Sequence, residues 1–336
     1  MSKKIKAIIL NNDPNTVEAV YTREIRNSIN EEFGLYEKLI RYTDLNDMAE
    51  VTKKAEYVFS TWGMPTLTKE EIAKFFPSVK AVFYAAGSVQ AFARPWLESE
   101  VSVCSAWRIN AYPVAEFAVS EILLAGKGFF YASRLAKEDY FFAQTEQRKF
   151  NGNYGLKVGI LGHGGVGSRV IQLLKPYDVD IYCYAIDLTE EQAKKEGITL
   201  CSLQRIFEEC DVISNHIADN PQTKGIVSAQ LINRMKSYST FINTGRGAQV
   251  DEEALIEKLE SDTTITALLD VSVHEPPETD SKLYTLKNAV LTPHIAGSNG
   301  GEVVRMARFA FEQSVKFQKT GKCDGTVTLK MLDGMA

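Results

Sequence analysis

A glycine-rich turn between a predicted strand and a predicted helix limits most strongly what this chain can fold into. An apolar run at 158–161 leads directly into the sequence GHGGVG at 162–167, and an amphipathic helical pattern follows. In such a G-x-G-x-x-G turn, Gly162 permits the sharp bend, Gly164 lets the backbone approach a pyrophosphate, and Gly167 lets the helix pack against the strand. Free N–H groups at the helix N-terminus favour phosphates. The turn therefore predicts a dinucleotide site on a Rossmann sheet.

The length and composition are those of a globular protein with two domains. The chain has 336 residues, of which 45% are hydrophobic and 24% are charged. Its net charge of −5 argues against nucleic acid or an anionic membrane as the main partner, because both attract basic patches. No apolar run reaches membrane-spanning length, and the N-terminal run is too short for a signal peptide, so a cytoplasmic protein is expected. The histidines and cysteines lack ligand spacing, so no metal is expected.

Strand and helix patterns alternate in two successive series. Strands are predicted at 5–10, 55–61, 79–85 and 101–105, with helices at 16–33, 69–76 and 114–124. A second series has strands at 157–161, 180–184, 211–215, 240–243, 265–270 and 289–291. A last helix at 302–319 is expected to return to the first domain. The predicted fold class is α/β, with two Rossmann-like parallel-sheet domains: a discontinuous, flavodoxin-like domain (1–126 plus 297–336) for substrate, and a dinucleotide-binding domain (127–296).

Four chemically active side chains follow strands of the second series. Arg246 comes after the strand at 240–243, Asp270 and Glu275 end or follow the next strand, and His294 follows the last one. Ligands bind outside the carboxyl ends of an open parallel sheet, so these side chains are predicted to converge. Reduction of a 2-keto acid needs a cation for the carboxylate and carbonyl oxygens, a hydride donor and a proton donor. The planar guanidinium of Arg246 suits the first task, and His294, oriented and charge-stabilised by Glu275, suits the last.

At these motifs the sequence resembles the D-isomer-specific 2-hydroxyacid dehydrogenases. The resemblance covers 114–116, 162–167, 216–223, 243–247, 269–276 and 293–297, in the order that the family has them. It implies NAD-dependent chemistry with Arg246, Glu275 and His294 as catalytic residues, and a loop at 85–89 that binds the substrate carboxylate. The cofactor residues that it implies are Gly162, Gly164, Gly165, Val166, Gly167, Ile217, Ala218, Thr223, Thr244, Gly245 and Asp270, the last of which is expected to face the nicotinamide. The candidate substrate residues are Ala86, Gly87, Ser88 and Trp62, the last being alternatively a core aromatic.

The sequence departs from the family pattern at the predicted ribose site. Where the family has an acid at the end of the second cofactor strand, this chain has Ala185, and Asp187 follows two residues later. Either the loop brings Asp187 to the ribose, or the ribose is held otherwise. The acidic run at 185–191 would repel a 2′-phosphate, so NAD is expected and NADP is less favoured.

Three further expectations concern function class and partners. The leading hypothesis is a 2-keto acid reductase acting on a small 2-keto or 2-hydroxy acid. A different class is an NAD(H)-sensing, corepressor-like binding protein on the same scaffold, which the lack of a basic patch disfavours; formate dehydrogenase chemistry would need further polar residues. Aromatic residues at 127–150, together with the resemblance, predict a homodimer, unless they fill the core of the chain itself.

Overall fold

The computed structural model describes residues 5–332, which form two compact units. Unit 1 comprises the chain up to residue 111 and from residue 298, and unit 2 comprises residues 112–297. The sequence analysis placed the first boundary after residue 126, one helix later. The helix Trp107–Gly126 belongs largely to unit 2, because Ala118, Ile122 and Ala125 pack into the same apolar core as strand residues of that unit. Within the described residues, no helix is long and apolar enough to cross a membrane.

Unit 1 is built around a five-stranded sheet. Its neighbours, in order, are Ala7–Ile9, Tyr57–Ser60, Ala81–Tyr84 and Ser102–Ser105, all parallel, and then the antiparallel edge strand Thr326–Val327. Bridges from Leu35 and Ile40 extend the parallel pattern beyond the first strand, as in a flavodoxin-like order. The helices of the unit are Pro14–Val20, Arg23–Phe33, Ala49–Thr52, Lys69–Phe75, Ala93–Glu98, Val303–Thr320 and Leu329–Leu332, with 3-10 turns at Tyr42–Asp44 and Gly300–Glu302.

Both faces of the unit 1 sheet are buried, which explains why its strands are almost wholly apolar. Val58 and Val82 lie in the core on one face, whereas Phe59 and Phe83 lie in the core on the other. The helix Val303–Thr320 covers the second face with side chains such as Met306 and Ala307. The end of the chain thus completes a domain that the start of the chain begins.

Unit 2 contains a seven-stranded, all-parallel sheet. Its order is Ala289–Leu291, Thr266–Leu269, Thr240–Asn243, Val212–Asn215, Leu156–Leu161, Val179–Tyr184 and Thr199–Leu200. Successive strands are added to one side of Leu156–Leu161 and then, from Val212–Asn215 onward, to its other side. The gap between these two parallel strands is the topological switch point, where open sheets bind ligands. The further helices of the unit are Phe129–Leu135, Tyr140–Gln147, Gly165–Leu174, Glu190–Glu196, Leu203–Glu209, Ala229–Ile232 and Glu252–Ser261, with 3-10 turns at Gly247–Gln249 and Lys282–Tyr284.

The structure differs from the predicted elements at several helices and strands. The helix expected to start after Pro113 begins already at Trp107, so Pro113 lies inside the helix, where it lacks the N–H for one helical hydrogen bond. The helix expected at 16–33 is two helices, which break at Tyr21 and Thr22. The strands Thr199–Leu200 and Thr326–Val327 are two residues long, which is too short for an alternating pattern to show.

Candidate active site

The glycine turn has the backbone that a dinucleotide site requires. Gly162 has φ of +95°, and a Cβ there would lie 2.8 Å from the carbonyl oxygen of His216. A Cβ on Gly167 would overlap the carbonyl oxygen of Gly162, whereas a Cβ on Gly164 would meet nothing within 4 Å. Close packing thus requires glycine at Gly162 and Gly167, whereas at Gly164 the backbone is open to a ligand. These residues fit a pyrophosphate.

The helix Gly165–Leu174 begins directly after this turn. Its N-cap is Gly164, whose carbonyl oxygen accepts hydrogen bonds from the N–H and the hydroxyl of Ser168, at 3.1 and 2.7 Å. Val166 packs against the unit 2 core, which fixes the first turn of the helix. The first N–H groups of a helix have no partner within it and carry its positive dipole, so this end suits an anion.

Asp187, the predicted ribose residue, follows the strand Val179–Tyr184, which pairs with the strand that leads into the glycine turn. Val179–Tyr184 ends next to the glycine turn, since Gly162 N–H donates to the Tyr184 carbonyl oxygen at 2.7 Å. Ala185 packs against the apolar core, and Asp187 is exposed. The acid is therefore displaced along the loop from the position that the family usually fills.

His216 is buried near the switch point, where its neutral ring contacts two hydroxyl groups. Its Nε2 lies 2.9 Å from the Ser214 hydroxyl, and its Nδ1 lies 3.3 Å from the hydroxyl of Thr244. Burial lowers the pKa of His216 to about 3. The Thr223 hydroxyl closes the following turn by donating to the carbonyl oxygen of Ala218 at 2.7 Å.

Three buried amide side chains, Asn215, Asn243 and Gln249, lie beneath the turn that carries Arg246. We refer to them as the amide cluster; each has at most 1% of its surface exposed. The Asn215 Nδ2 donates to Asn243 Oδ1 at 3.0 Å and to Gln249 Oε1 at 2.8 Å. Sequence analysis missed the cluster: Asn215 and Asn243 are the last residues of their strands, and no sequence pattern links them to Gln249.

Arg246 is half-buried, and its turn packs against the segment that leads to Glu275. Its guanidinium Nη1 donates to the carbonyl oxygen of Gly245 at 2.7 Å. Gly247, directly after it, has no room for a side chain, because a Cβ would overlap the backbone of Ser272 and Val273. Gly247 is thus required by close backbone packing, and this packing brings the arginine turn next to the loop of Glu275.

Asp270 anchors the loop that bears His294. Its Oδ1 accepts hydrogen bonds from the Thr292 hydroxyl at 2.6 Å and from the Ile295 N–H at 2.8 Å, and its Oδ2 accepts one from the Ala296 N–H at 2.9 Å. The carboxylate is buried. Sequence analysis assigned Asp270 to the nicotinamide; in the structure both of its oxygens bind this loop.

His294 and Glu275 form a direct pair. The distance from His294 Nδ1 to Glu275 Oε2 is 2.7 Å, and the side chains are 48% and 39% exposed. A carboxylate on Nδ1 selects the tautomer and leaves Nε2 free for proton transfer. Of the predicted catalytic residues, the structure therefore brings Glu275 and His294 into contact.

Glu121 is an acidic residue close enough to Asp270 to interact with its charge, and the sequence analysis did not identify it. It lies on the helix Trp107–Gly126, and its Oε2 is buried without a hydrogen-bond partner. Burial, and secondly the negative charge of Asp270, raises the pKa of Glu121 to about 8. Glu121 is therefore mostly protonated near neutral pH.

The predicted substrate residues belong to unit 1, where polar side chains hold their loop. The Ser105 hydroxyl donates to the carbonyl oxygens of Ala86 and Gly87, at 3.0 and 2.7 Å. Gly87 is followed by the exposed Ser88. Trp62 is 37% exposed, so it is not a core aromatic. Its carbonyl oxygen accepts a hydrogen bond from Asn11 Nδ2 at 2.9 Å.

A family sequence model matches most of unit 2. The model describes the NAD-binding domain of D-isomer specific 2-hydroxyacid dehydrogenases and matches residues 119–296, more than half of the chain. The chain belongs to this family. The match confirms the predicted family, its α/β fold class and the NAD cofactor. All residues of unit 2 described above as candidate site residues lie in the matched region.

Curated relatives within the family carry different names. The chain is 31% identical over 212 residues to the D-3-phosphoglycerate dehydrogenase of Archaeoglobus fulgidus, covering 62% of this chain and 40% of that protein. It is 30% identical over 207 residues to the glyoxylate reductase of Korarchaeum cryptofilum, covering 61% and 62% of the two chains. The chain thus spans less than two thirds of the length of these relatives.

Solved structures share the fold across nearly the whole chain. A D-2-hydroxyisocaproate dehydrogenase superposes with a TM-score of 0.75 at 21% identity, covering 96% of this chain and all of that one. An NAD-complexed dehydrogenase of the family from Lactobacillus delbrueckii ssp. bulgaricus also gives a TM-score of 0.75, at 19% identity, with the same coverage. At these identities the likeness is one of fold.

Proposed function

We propose that the protein is an NAD-dependent D-2-hydroxyacid dehydrogenase that works mainly as a 2-keto acid reductase. The observation that carries this proposal is the 2.7 Å contact between Glu275 Oε2 and His294 Nδ1 at the carboxyl end of the unit 2 sheet. The same edge carries Arg246 and the glycine turn. A cation, an acid–base pair and a dinucleotide turn at one sheet edge are the groups that this reaction needs.

Each catalytic residue has a separate task. NADH, when bound, supplies the hydride that reduces the carbonyl carbon of the substrate. The Arg246 guanidinium binds the carboxylate and the carbonyl oxygen, and withdraws electron density from the carbonyl carbon. The protonated His294 donates its Nε2 proton to the carbonyl oxygen, which becomes the hydroxyl group. In the reverse direction the neutral ring takes that proton back.

Glu275 prepares His294 for this transfer. Its carboxylate accepts the Nδ1 proton, so the ring keeps one orientation and its positive charge is stabilised while it waits to donate. Because both side chains remain partly exposed, the ring can be reprotonated from solvent after each turnover.

For the cofactor, we propose that the glycine turn holds the pyrophosphate and that Asp187 binds the adenosine ribose. Ile217, Ala218, Thr223, Thr244 and Gly245 line the cofactor site in this proposal. The loop at 185–191 carries Asp187, Glu190 and Glu191 and no basic residue, which supports NAD over NADP.

A substrate panel tests the proposed function. Pyruvate, glyoxylate, hydroxypyruvate, phenylpyruvate and a branched 2-keto acid are each offered with NADH and with NADPH, and oxidation of the cofactor is followed by absorbance. We expect reduction of at least one keto acid, faster with NADH. Tight NADH binding without turnover of any keto acid would instead support the NAD(H)-sensing alternative.

We also propose that the protein is a homodimer and works in the cytoplasm. Four aromatic side chains form what we call the aromatic patch: Phe129, Tyr140, Phe141 and Phe142, which are 48%, 66%, 78% and 50% exposed. A monomer rarely exposes this many large aromatic side chains within one short segment, so a second copy is the proposed cover. The five cysteines are unpaired thiols, as is usual in a reducing compartment; cell fractionation tests the location.

A further inference from the structure

The amide cluster leaves no space beneath Gly245. A Cβ on this glycine would lie 2.8 Å from Gln249 Oε1 and 2.9 Å from Asn215 Nδ2. Asn243 Oδ1 accepts a hydrogen bond from the Gly245 N–H at 3.1 Å. The backbone immediately before Arg246 therefore rests directly on the three amides.

The same cluster forms hydrogen bonds with both the N–H and the carbonyl oxygen of Arg246. Gln249 Oε1 accepts a hydrogen bond from the Arg246 N–H at 3.2 Å, and Asn243 Nδ2 donates to the Arg246 carbonyl oxygen at 3.3 Å. The Arg246 main chain is thus fixed at its N–H and its C=O by two buried side chains on different elements.

The cluster also reaches the turn after the strand Val212–Asn215. Asn215 Oδ1 accepts a hydrogen bond from the Ile217 N–H at 3.2 Å, and Gln249 Nε2 donates to the Ile217 carbonyl oxygen at 2.8 Å. Gln249 thus uses its oxygen toward Arg246 and its NH₂ group toward Ile217. A carboxylate has no donor for the second bond, and an apolar side chain has neither group.

We propose that Gln249, through the amide cluster, is a positioning residue that fixes Arg246 relative to the Ile217 turn. This inference rests on the proposed function, in which Arg246 binds the substrate and Ile217 lines the cofactor site. Because one side chain bonds both turns, a shift of either turn is transmitted to the other. A misplacement of about 1 Å at such a group can cost about 10²-fold in rate.

The substitution Gln249→Glu tests the proposal through pH. A protonated glutamate has an acceptor oxygen and a donor hydroxyl, as glutamine has, whereas the ionised form places an oxygen against the Ile217 carbonyl. Burial raises the pKa of a carboxyl, so the variant should titrate above the ordinary range. We expect its kcat/KM for the best keto acid, divided by the wild-type value at the same pH, to be near one at pH 5.5. The ratio should fall at least tenfold by pH 8.5.

Two further variants complete the design. Asn215→Asp should also show a ratio that falls as the pH rises, because only its protonated form can make even one of the two hydrogen bonds that Asn215 Nδ2 donates. It serves if Gln249→Glu fails to fold. Gln313→Glu is the matched control: Gln313 is also buried and its Oε1 accepts a backbone N–H, from Asp324, but it lies in unit 1. Its ratio should not depend on pH. A ratio for Gln249→Glu that is constant, or that follows its melting temperature, would refute the proposal.

Amide hydrogen exchange separates this proposal from the proposed function. In protein without cofactor, peptides covering Ile217 and Arg246 should exchange at least tenfold faster in Gln249→Leu than in wild type at the same pH, and Gln313→Glu should not change them. If no keto acid is reduced by the wild type, the proposed function fails and this measurement still decides. Unchanged exchange at both turns would mean that Gln249 does not position Arg246.

Discussion

His294 has a left-handed backbone, with φ of +53°, and Asp270 holds it in that conformation. The Asp270 carbonyl oxygen accepts the His294 N–H at 3.1 Å, while its carboxylate binds the two N–H groups that follow in the loop. A non-glycine residue in this region carries strain and persists only where its surroundings impose it. The backbone of the proposed acid–base residue is therefore held in place by Asp270.

Asp270→Asn is the substitution that tests this anchor. One carboxylate oxygen becomes an NH₂ group facing a backbone N–H, so hydrogen bonds to a charged acceptor, each worth about 1.5–3 kcal/mol, are weakened. We expect the free energy of unfolding to fall by about that amount, and kcat to fall with it. Urea unfolding and kinetics measure the two effects. An unchanged stability together with a raised KM for NADH would instead assign Asp270 to the nicotinamide.

The proposed catalytic residues have distinct kinetic signatures. His294→Ala and Arg246→Ala should each reduce keto acid turnover, by about 10²–10⁴-fold for loss of the acid–base group, and should keep NADH binding. Near wild-type turnover in either variant would contradict its assignment. Fluorescence titration with NADH provides the binding control.

Glu275→Gln should slow reduction by loosening the orientation of His294. In the proposed mechanism the Glu275 carboxylate accepts the Nδ1 proton of His294 at a contact of 2.7 Å and so holds the ring. An amide oxygen is a weaker acceptor than a carboxylate, so kcat for the best keto acid should fall while NADH binding is kept. Initial rates and fluorescence titration measure the two effects, and a wild-type kcat would show that Glu275 does not act on His294.

Glu121 should make the stability of the protein depend on pH. Its pKa is raised from 4.5 to about 8, so between these values the folded protein holds a proton that the unfolded chain releases. The unfolding free energy therefore falls as pH rises through this window, by at most about 1.4 kcal/mol per pH unit. Glu121→Gln should remove this slope. Urea unfolding of both proteins at pH 5, 6, 7 and 8 measures it, and parallel curves would exclude the effect.

Asp187 should influence the choice of cofactor. It is exposed and carries negative charge at the loop where the ribose is proposed to bind. Asp187→Ala should raise the KM for NADH and narrow the difference from NADPH, because a 2′-phosphate would no longer be repelled. Initial rates with both cofactors measure this. The exposed Glu190 gives a control variant, Glu190→Ala, and an equal effect of both substitutions would indicate only the general charge of the loop.

Features with a repeating or spaced pattern were predictable from the sequence. The strands that carry the site follow their apolar runs to within a residue or two, and Glu275 and His294 meet because neighbouring parallel strands end at one edge. The amide cluster has no such signal: Asn215 is far along the chain from Asn243 and Gln249, and it meets them only through tertiary packing. The same holds for Glu121, whose pKa depends on burial and on Asp270.

The aromatic patch gives the last prediction, on assembly. Phe130 and Tyr131 are packed inward, but the patch residues are about half exposed or more, so the single chain does not bury them. At about 25 cal/mol per Å² of buried apolar surface, covering such side chains favours association. We expect light scattering at micromolar concentration to give twice the chain mass of 37.5 kDa.

Phe141→Glu should shift the protein toward the monomer, because a charge would be buried in the interface. Tyr177, 44% exposed and outside the patch, supplies the control Tyr177→Glu. A wild-type mass of 37.5 kDa would refute the dimer, and a dimer unaffected by Phe141→Glu would place the interface elsewhere.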